Sequence, residues 1–210
     1  MLVIFLGIGF LGAILMFVGD MALYYSKQDY VTDGTLRPII AIMKNLSRRR
    51  LYIGGMLGPI AAFVYCIGYY HLVLAINETH QVLGWICFVV NCIGVICGGA
   101  YHSHVAYLGL IGRYDDEKVL DEVMHYMDAQ KTIAFGLQGI GFLLLAVMLV
   151  CNWMLLPRWM VMVSPGILFL LFPITRKLPK GLHMVISGGW TNLISAIYYA
   201  IALIVLHFVL

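Results

Sequence analysis

The sequence predicts an all-α, polytopic membrane bundle of six transmembrane helices, with the N-terminus and C-terminus both non-cytoplasmic. Three observations carry that expectation. First, the 210 residues are 62% hydrophobic and 11% charged. A soluble domain carries about 25% charged residues, so this chain lacks the material for a water-facing surface. Second, the apolar residues fall in runs that approach or exceed the roughly 20 residues one hydrocarbon crossing takes. Third, the basic residues occupy alternate connections between those runs.

The runs are 2–24, 51–76, 81–112, 133–155, 159–174 and 182–209, and residues 1–210 read as a single integral membrane domain. Their uninterrupted apolar character lacks the period of two that a membrane β-barrel requires. The first run has no basic lead and ends at Asp20 without a small-x-small cleavage pattern. It is expected to be a retained helix and not a signal peptide. In the connection that follows, Leu36, Ile39, Ile40, Met43 and Leu46 recur at helical spacing just before Ser47-Arg-Arg-Arg50. That pattern predicts a short helix on the inner surface, with Arg48, Arg49 and Arg50 against anionic lipid head groups.

The second run contains Pro59 and Gly54-x-x-x-Gly58, and the third contains Gly94-x-x-x-Gly98. Small residues one turn apart let helices approach closely in lipid, and the second and third crossings are expected to pack on each other. Asn77-Glu78-Thr79 has the form of a glycosylation sequon. It lies in a very short connection against the bilayer and is read as a chance match. The connection at 113–132 is acidic, with Asp115, Asp116, Glu117, Asp121, Glu122 and Asp128. It lacks the Gly turn of a calcium loop and is expected to be a solvated helix leading into the fourth crossing. The fifth run is the shortest and is bounded by Pro157 and Pro173. All five cysteines lie in apolar runs without Cys-x-x-Cys spacing, and read as small hydrophobes.

Charge sets the expected orientation. The connections at 25–50, 113–132 and 175–181 hold twelve of the thirteen Lys and Arg residues, leaving Arg158 alone on the other side. Basic connections stay in the cytoplasm during insertion, which points to a multi-pass protein of the cell membrane.

Polar groups within a bilayer are costly and tend to mark sites. Counting from each run's midpoint at about 1.5 Å per residue, Asp20, His102, His104, Gln138 and Asn192 all fall about 5–11 Å to the cytoplasmic side. Tyr101 and Trp190 accompany them. A thinner opposite layer holds His71, Asn91 and Asn152, without a carboxylate. His102-Ser103-His104 is not expected to chelate a metal, because residues i and i+2 diverge by about 200° on a helix. His102 is expected to face the bundle. Asp20 has three readings: an acid–base pair with His102, a structural pair locking two helices, or a side chain reaching Arg48 or Lys27 at the interface.

Segments of this chain resemble an uncharacterised bacterial six-helix integral membrane family of unknown function. They are Gly19-Asp20, Arg50-Leu-Tyr-Ile-Gly-Gly-Met-Leu-Gly-Pro59, Ala100-Tyr-His-Ser-His104 and Gly188-Gly-Trp-Thr-Asn192. The resemblance implies no activity.

The functional expectation is a polar intramembrane pocket in the cytoplasmic half. It would bind or act on a lipid or amphipathic small molecule by acid–base chemistry. Asp20 and His102 are the candidate catalytic residues. Tyr101, His104, Gln138, Trp190 and Asn192 are the candidate ligand-binding residues. A small proton-coupled transporter and an accessory membrane subunit stand as alternatives, so whether the chain is an enzyme stays open. No metal, cofactor or nucleic acid is expected. The chain has neither a Gly-rich phosphate loop nor a Gly-x-Ser-x-Gly nucleophile elbow.

Overall fold

The computed structural model describes residues 1–26, 36–114, 116–175 and 177–209. Lys27, Asp115 and Arg176, three of the charges discussed above, lie outside them. The described residues form helices α1 (Leu2–Tyr24), α2 (Arg37–Met43), α3 (Arg48–Tyr69), α4 (His71–Ala75), α5 (Gln81–Ile111), α6 (Glu117–Val150), α7 (Pro165–Phe169), α8 (Phe172–Thr175), α9 (Lys180–Gly188) and α10 (Trp190–Val209). Short 3-10 turns at Glu78–His80 and Arg158–Val163 complete them.

Five helical stretches are long and apolar enough to cross a membrane: Leu2–Tyr24, Arg48–Ala75, Glu78–Ile111, Glu117–Val150 and Trp190–Phe208. Large apolar side chains cover their outer faces, Phe63, Met56 and Leu143 each being about two-thirds exposed. A soluble monomer does not present apolar surface on that scale. The described residues are helical, without a strand, and their long apolar helices mark a membrane protein.

The fifth apolar run differs from the other five. Instead of one helix, residues 158–175 form a 3-10 turn, α7 and α8 in succession. Proline accounts for the breaks. Pro157 and Ser164 both hold extended backbone, with ψ of 146° and 147°. Pro165 then opens α7 at its first position, where its missing N–H costs nothing. Pro173 falls inside α8, so α7 cannot simply run on.

Neighbouring helices close a ring. α1 packs on α3, α3 on α5, and α5 on α6, while α10 packs on α1. α7 fills the remaining place between α6 and α10. Gly58 and Gly99 set the spacing of α3 and α5: a Cβ on Gly99 would lie 2.9 Å from the Gly58 carbonyl oxygen. Gly94 faces α6 instead, where a Cβ would meet Gln138 at 3.0 Å. The second and third crossings do pack closely, but of the two glycine pairs only Gly58 lies at that contact: Gly54 faces Leu23 and Ala22 of α1, and Gly98, like Gly94, faces Gln138.

The two ends of the ring are built differently. At the basic end, α2 and the start of α6 pack over α5 through Ile40, Met43, Leu108, Leu120 and Met127. Arg50 turns back onto the last carbonyls of α1, donating to Ala22 O at 2.6 Å, to Met21 O at 3.0 Å and to Tyr25 O. Met21 O also accepts from Tyr25 N at 3.2 Å, and a cation at this helix end offsets the helix dipole. Arg50 is thus engaged by α1, whereas Arg48 and Arg49 are exposed. Arg37 bridges α2 to α6 through Glu117 at 2.7 Å and Asp121 at 2.5 Å. Its hydrogen bonds to Glu117 and Asp121 raise its pKa.

At the opposite end two connections are tied together. Asn77 N donates to Trp153 O at 2.8 Å, and Leu155 N donates to Ala75 O at 2.7 Å. The His80 ring stacks on Trp153 with centroids 4.1 Å apart. The Asn77 side chain caps the 3-10 turn by accepting from His80 N at 3.2 Å.

Candidate functional site

Asp20 lies one turn before the end of α1 and is 4% exposed. A carboxylate there needs partners. His102 on α5 supplies Nε2 at 3.1 Å from Oδ1. Asn192 on α10 donates Nδ2–H to Oδ2 at 2.7 Å. Tyr65 on α3 then donates its hydroxyl to Asn192 Oδ1 at 3.0 Å. Four helices thus converge on one hydrogen-bonded cluster. Among the described residues Asp20 meets no arginine; Lys27, the other partner of the interfacial reading, lies outside them.

Small residues seat the cluster. Gly58 gives the His102 side chain room against α3, since a Cβ there would press on the imidazole carbon Cγ at 3.0 Å. Gly189 breaks α9 from α10 and lets that joint sit against Phe17 and Asp20; a Cβ would lie 3.5 Å from Asp20 Oδ2 and collide with the Phe17 ring. The break positions Asn192 in the first turn of α10, with its own N–H bonded to Gly189 O at 3.1 Å.

Beside the cluster is a cavity of about 360 Å³. Asp20, Tyr101, His102, Gln138, Trp190 and Asn192 border it, with Phe135, Phe169, Phe172, Ser187 and Thr191 among the remaining lining residues. Its existence follows from the broken fifth segment. α7 spans the place between α6 and α10 with only five residues, and Phe169 of α7 and Phe172 of α8 line the cavity. Two buried polar atoms here lack a protein partner: His102 Nδ1 and the Trp190 indole nitrogen. Buried groups without partners are uncommon, and beside a cavity they are groups that a bound molecule can satisfy.

His104 does not join this arrangement. Its Nδ1 pairs with Gln130 Oε1 at 2.7 Å, and its ring meets Tyr126 edge-on at 5.5 Å. His104, expected among the ligand-binding residues, does not border this cavity: the 200° divergence that separates it from His102 turns it onto α6. In the opposite polar layer the bonds are local, and Asn91 Oδ1 is left without a partner among the described residues. His71 Nδ1 pairs with Gly68 O at 2.8 Å, and Asn91 donates to Cys87 O at 2.8 Å. Sequence reading missed Tyr65. The available signal was a tyrosine inside an apolar run, whose hydroxyl requires a partner once buried.

Chemically, the cluster can hold and move a proton between Asp20 Oδ1 and His102 Nε2. Asn192 fixes the carboxylate and Tyr65 fixes Asn192, so the pair is oriented before any ligand arrives. Among the described residues, no three His, Cys, Asp or Glu side chains come together as a metal site.

A family model described as a family of unknown function, DUF6796, matches residues 2–207. The chain belongs to that family. This DUF6796 member therefore has nearly its whole length, cluster and cavity included, inside the family's span. No curated protein and no solved structure matches it. The match agrees with the resemblance to an uncharacterised family and says nothing of a bacterial source or of six helices.

Proposed function

We propose that this protein binds an amphipathic small molecule in the intramembrane cavity and acts on it by acid–base chemistry through Asp20 and His102. The observation that carries the reading is the buried Asp20–His102 pair, fixed by Asn192, on the wall of a cavity of about 360 Å³. Volumes of this order suit small-molecule sites, which are mostly apolar with a few convergent polar groups. Tyr101, Gln138 and Trp190 would orient the polar end. The transporter reading is weaker. Between His71, Asn91, Tyr198 and Tyr199 the void is about 10 Å³, room for about one water. A cargo leaving the Asp20 cavity toward the opposite end meets packed aromatic rings.

The same reading gives the topology. The basic end is cytoplasmic, and the broken segment 158–175 makes the sixth crossing, leaving both termini non-cytoplasmic. Two contacts support its descent along α6. Gly166 lies against the Phe142 carbonyl, and Phe169 borders the same cavity as Phe135. Arg48 and Arg49 would meet anionic head groups of the cell membrane.

The test is Asp20→Asn in purified protein in lipid nanodiscs. A functional pair predicts loss of ligand binding or turnover with the melting temperature nearly kept, because Asn preserves shape and removes the charge. A merely structural pair predicts a lower melting temperature, partly recovered in the double variant with His102→Ala. That second outcome would exclude the acid–base reading.

A further inference from the structure

A second cavity, of about 280 Å³, adjoins the first. Phe135, Gln138, Phe169 and Thr191 border both. From there the second follows α6 through Gly139, Phe142 and Leu143 to Ala146, with Gly166, Ile167 and Leu170 of the broken segment opposite. That stretch of α6 is about 16 Å long. Its walls are apolar beyond Gln138 and Thr191. Leu143 and Leu170 are 64% and 69% exposed, so the groove opens sideways on the face where lipid tails lie. The result is a polar chamber with an apolar trough leading out to the bilayer.

Charge decides which head enters the chamber. Among the described residues bordering either cavity, Asp20 is the sole carboxylate and no lysine or arginine is present. An anionic head, phosphate or carboxylate, would be buried beside Asp20 without a cation, and burying an uncompensated charge is costly. A cationic head finds Asp20 already engaged by His102 and Asn192. An uncharged head with donors and acceptors meets what the chamber offers: the Gln138 amide, the Tyr101 hydroxyl, and the unpartnered indole nitrogen of Trp190.

We propose that the ligand is an amphiphile with one extended apolar chain and an uncharged hydrogen-bonding head, a hydroxyl or an amide, which enters from the bilayer between α6 and α7. The head lies beside Asp20 and His102, and the chain lies along α6 from Phe135 to Ala146. This rests on the functional reading above and adds the ligand's class, pose and route.

The experiment uses the full chain in phosphatidylcholine nanodiscs. The probes are a long-chain primary alcohol carrying a mid-chain diazirine, and the carboxylic acid and the amine of the same chain. Photolabelling of the alcohol should map to α6 between Phe135 and Ala146 and to α7. The acid and the amine should each label about tenfold less, the equivalent of about 1.4 kcal/mol. Gly139→Leu should abolish groove labelling. A Cβ at Gly139 meets nothing within 4 Å, so the variant folds and the leucine fills the trough. Gly136→Leu, three residues away and equally open but bordering neither cavity, should label as the natural chain does. Loss of labelling in Asp20→Asn with full labelling in Gly139→Leu would overturn the groove and leave the acid–base site standing. Loss in Gly139→Leu with full labelling in Asp20→Asn would overturn the head position and the functional reading together. Equal labelling by acid, amine and alcohol would overturn the head class.

Discussion

Asp20, His102 and Asn192 were grouped by counting 1.5 Å per residue from the middle of three apolar runs. Depth is legible in this way because a long apolar run has a defined centre, and a helix converts sequence distance into height. Azimuth is less legible. It separated His102 from His104 correctly but could not say that Tyr65, on a fourth helix, would complete the cluster. Tyr65→Phe tests that bond. It leaves Asn192 Oδ1 without its donor and should cost about 1 kcal/mol, read as a lower melting temperature. An unchanged melting temperature would show that the hydroxyl does not hold Asn192. Arg50 is the second residue whose partner the sequence did not reveal. A run of three arginines reads as one surface feature, yet only Arg48 and Arg49 are exposed while Arg50 binds α1. Arg50→Met should destabilise by about 2 kcal/mol through the stripped carbonyls. Arg49→Met should stay within about 0.5 kcal/mol of the natural chain. Equal effects would contradict the capping role.

At the scale of elements, long helices were legible and breaks were not. An apolar run reports how much hydrocarbon a segment can face, and says little about whether its backbone stays helical. Residues 158–175 are apolar enough to cross, and Pro157, Pro165 and Pro173 divide them into a 3-10 turn and two short helices. The same prolines are legible in the sequence: Pro157 and Pro173 bound the run and Pro165 predicts a kink within it, but a kink does not foretell separate short helices. In α6 the reverse holds: a charged connection and an apolar run fuse into 34 continuous residues, capped where Asp116 accepts from Lys118 N and Val119 N. These differences have a dynamic consequence. Backbone amides at 158–175 make few i to i−4 bonds and should exchange hydrogen faster than those at 134–150. Exchange read by mass spectrometry in nanodiscs checks this, and equal protection would mean the segment is held as firmly as a continuous helix.

For the whole molecule, the membrane character was plain from composition, since few charges over 210 residues leave no other solvent for the surface. Orientation rests on the asymmetry of basic residues and stays a proposal with a direct check. Single cysteines in the 77–80 connection should react with an impermeant thiol reagent on intact cells, and cysteines at 48 or 49 should not. The opposite pattern would invert the molecule. The broken segment is a feature of the whole as much as of an element: five long helices and one interrupted one make a ring whose gap is the cavity.

The tie between Ala75–Asn77 and Trp153–Leu155 constrains how such a ring can move. Two backbone hydrogen bonds and the stacked His80 and Trp153 rings hold one rim shut. The opposite rim is tied differently, by the exposed Arg37 pairs with Glu117 and Asp121 laid over an apolar cluster. Ionic strength screens exposed ion pairs and leaves backbone hydrogen bonds and ring stacking unchanged. Raising salt is therefore expected to speed hydrogen exchange in α2 and to leave the Ala75–Asn77 stretch as it was.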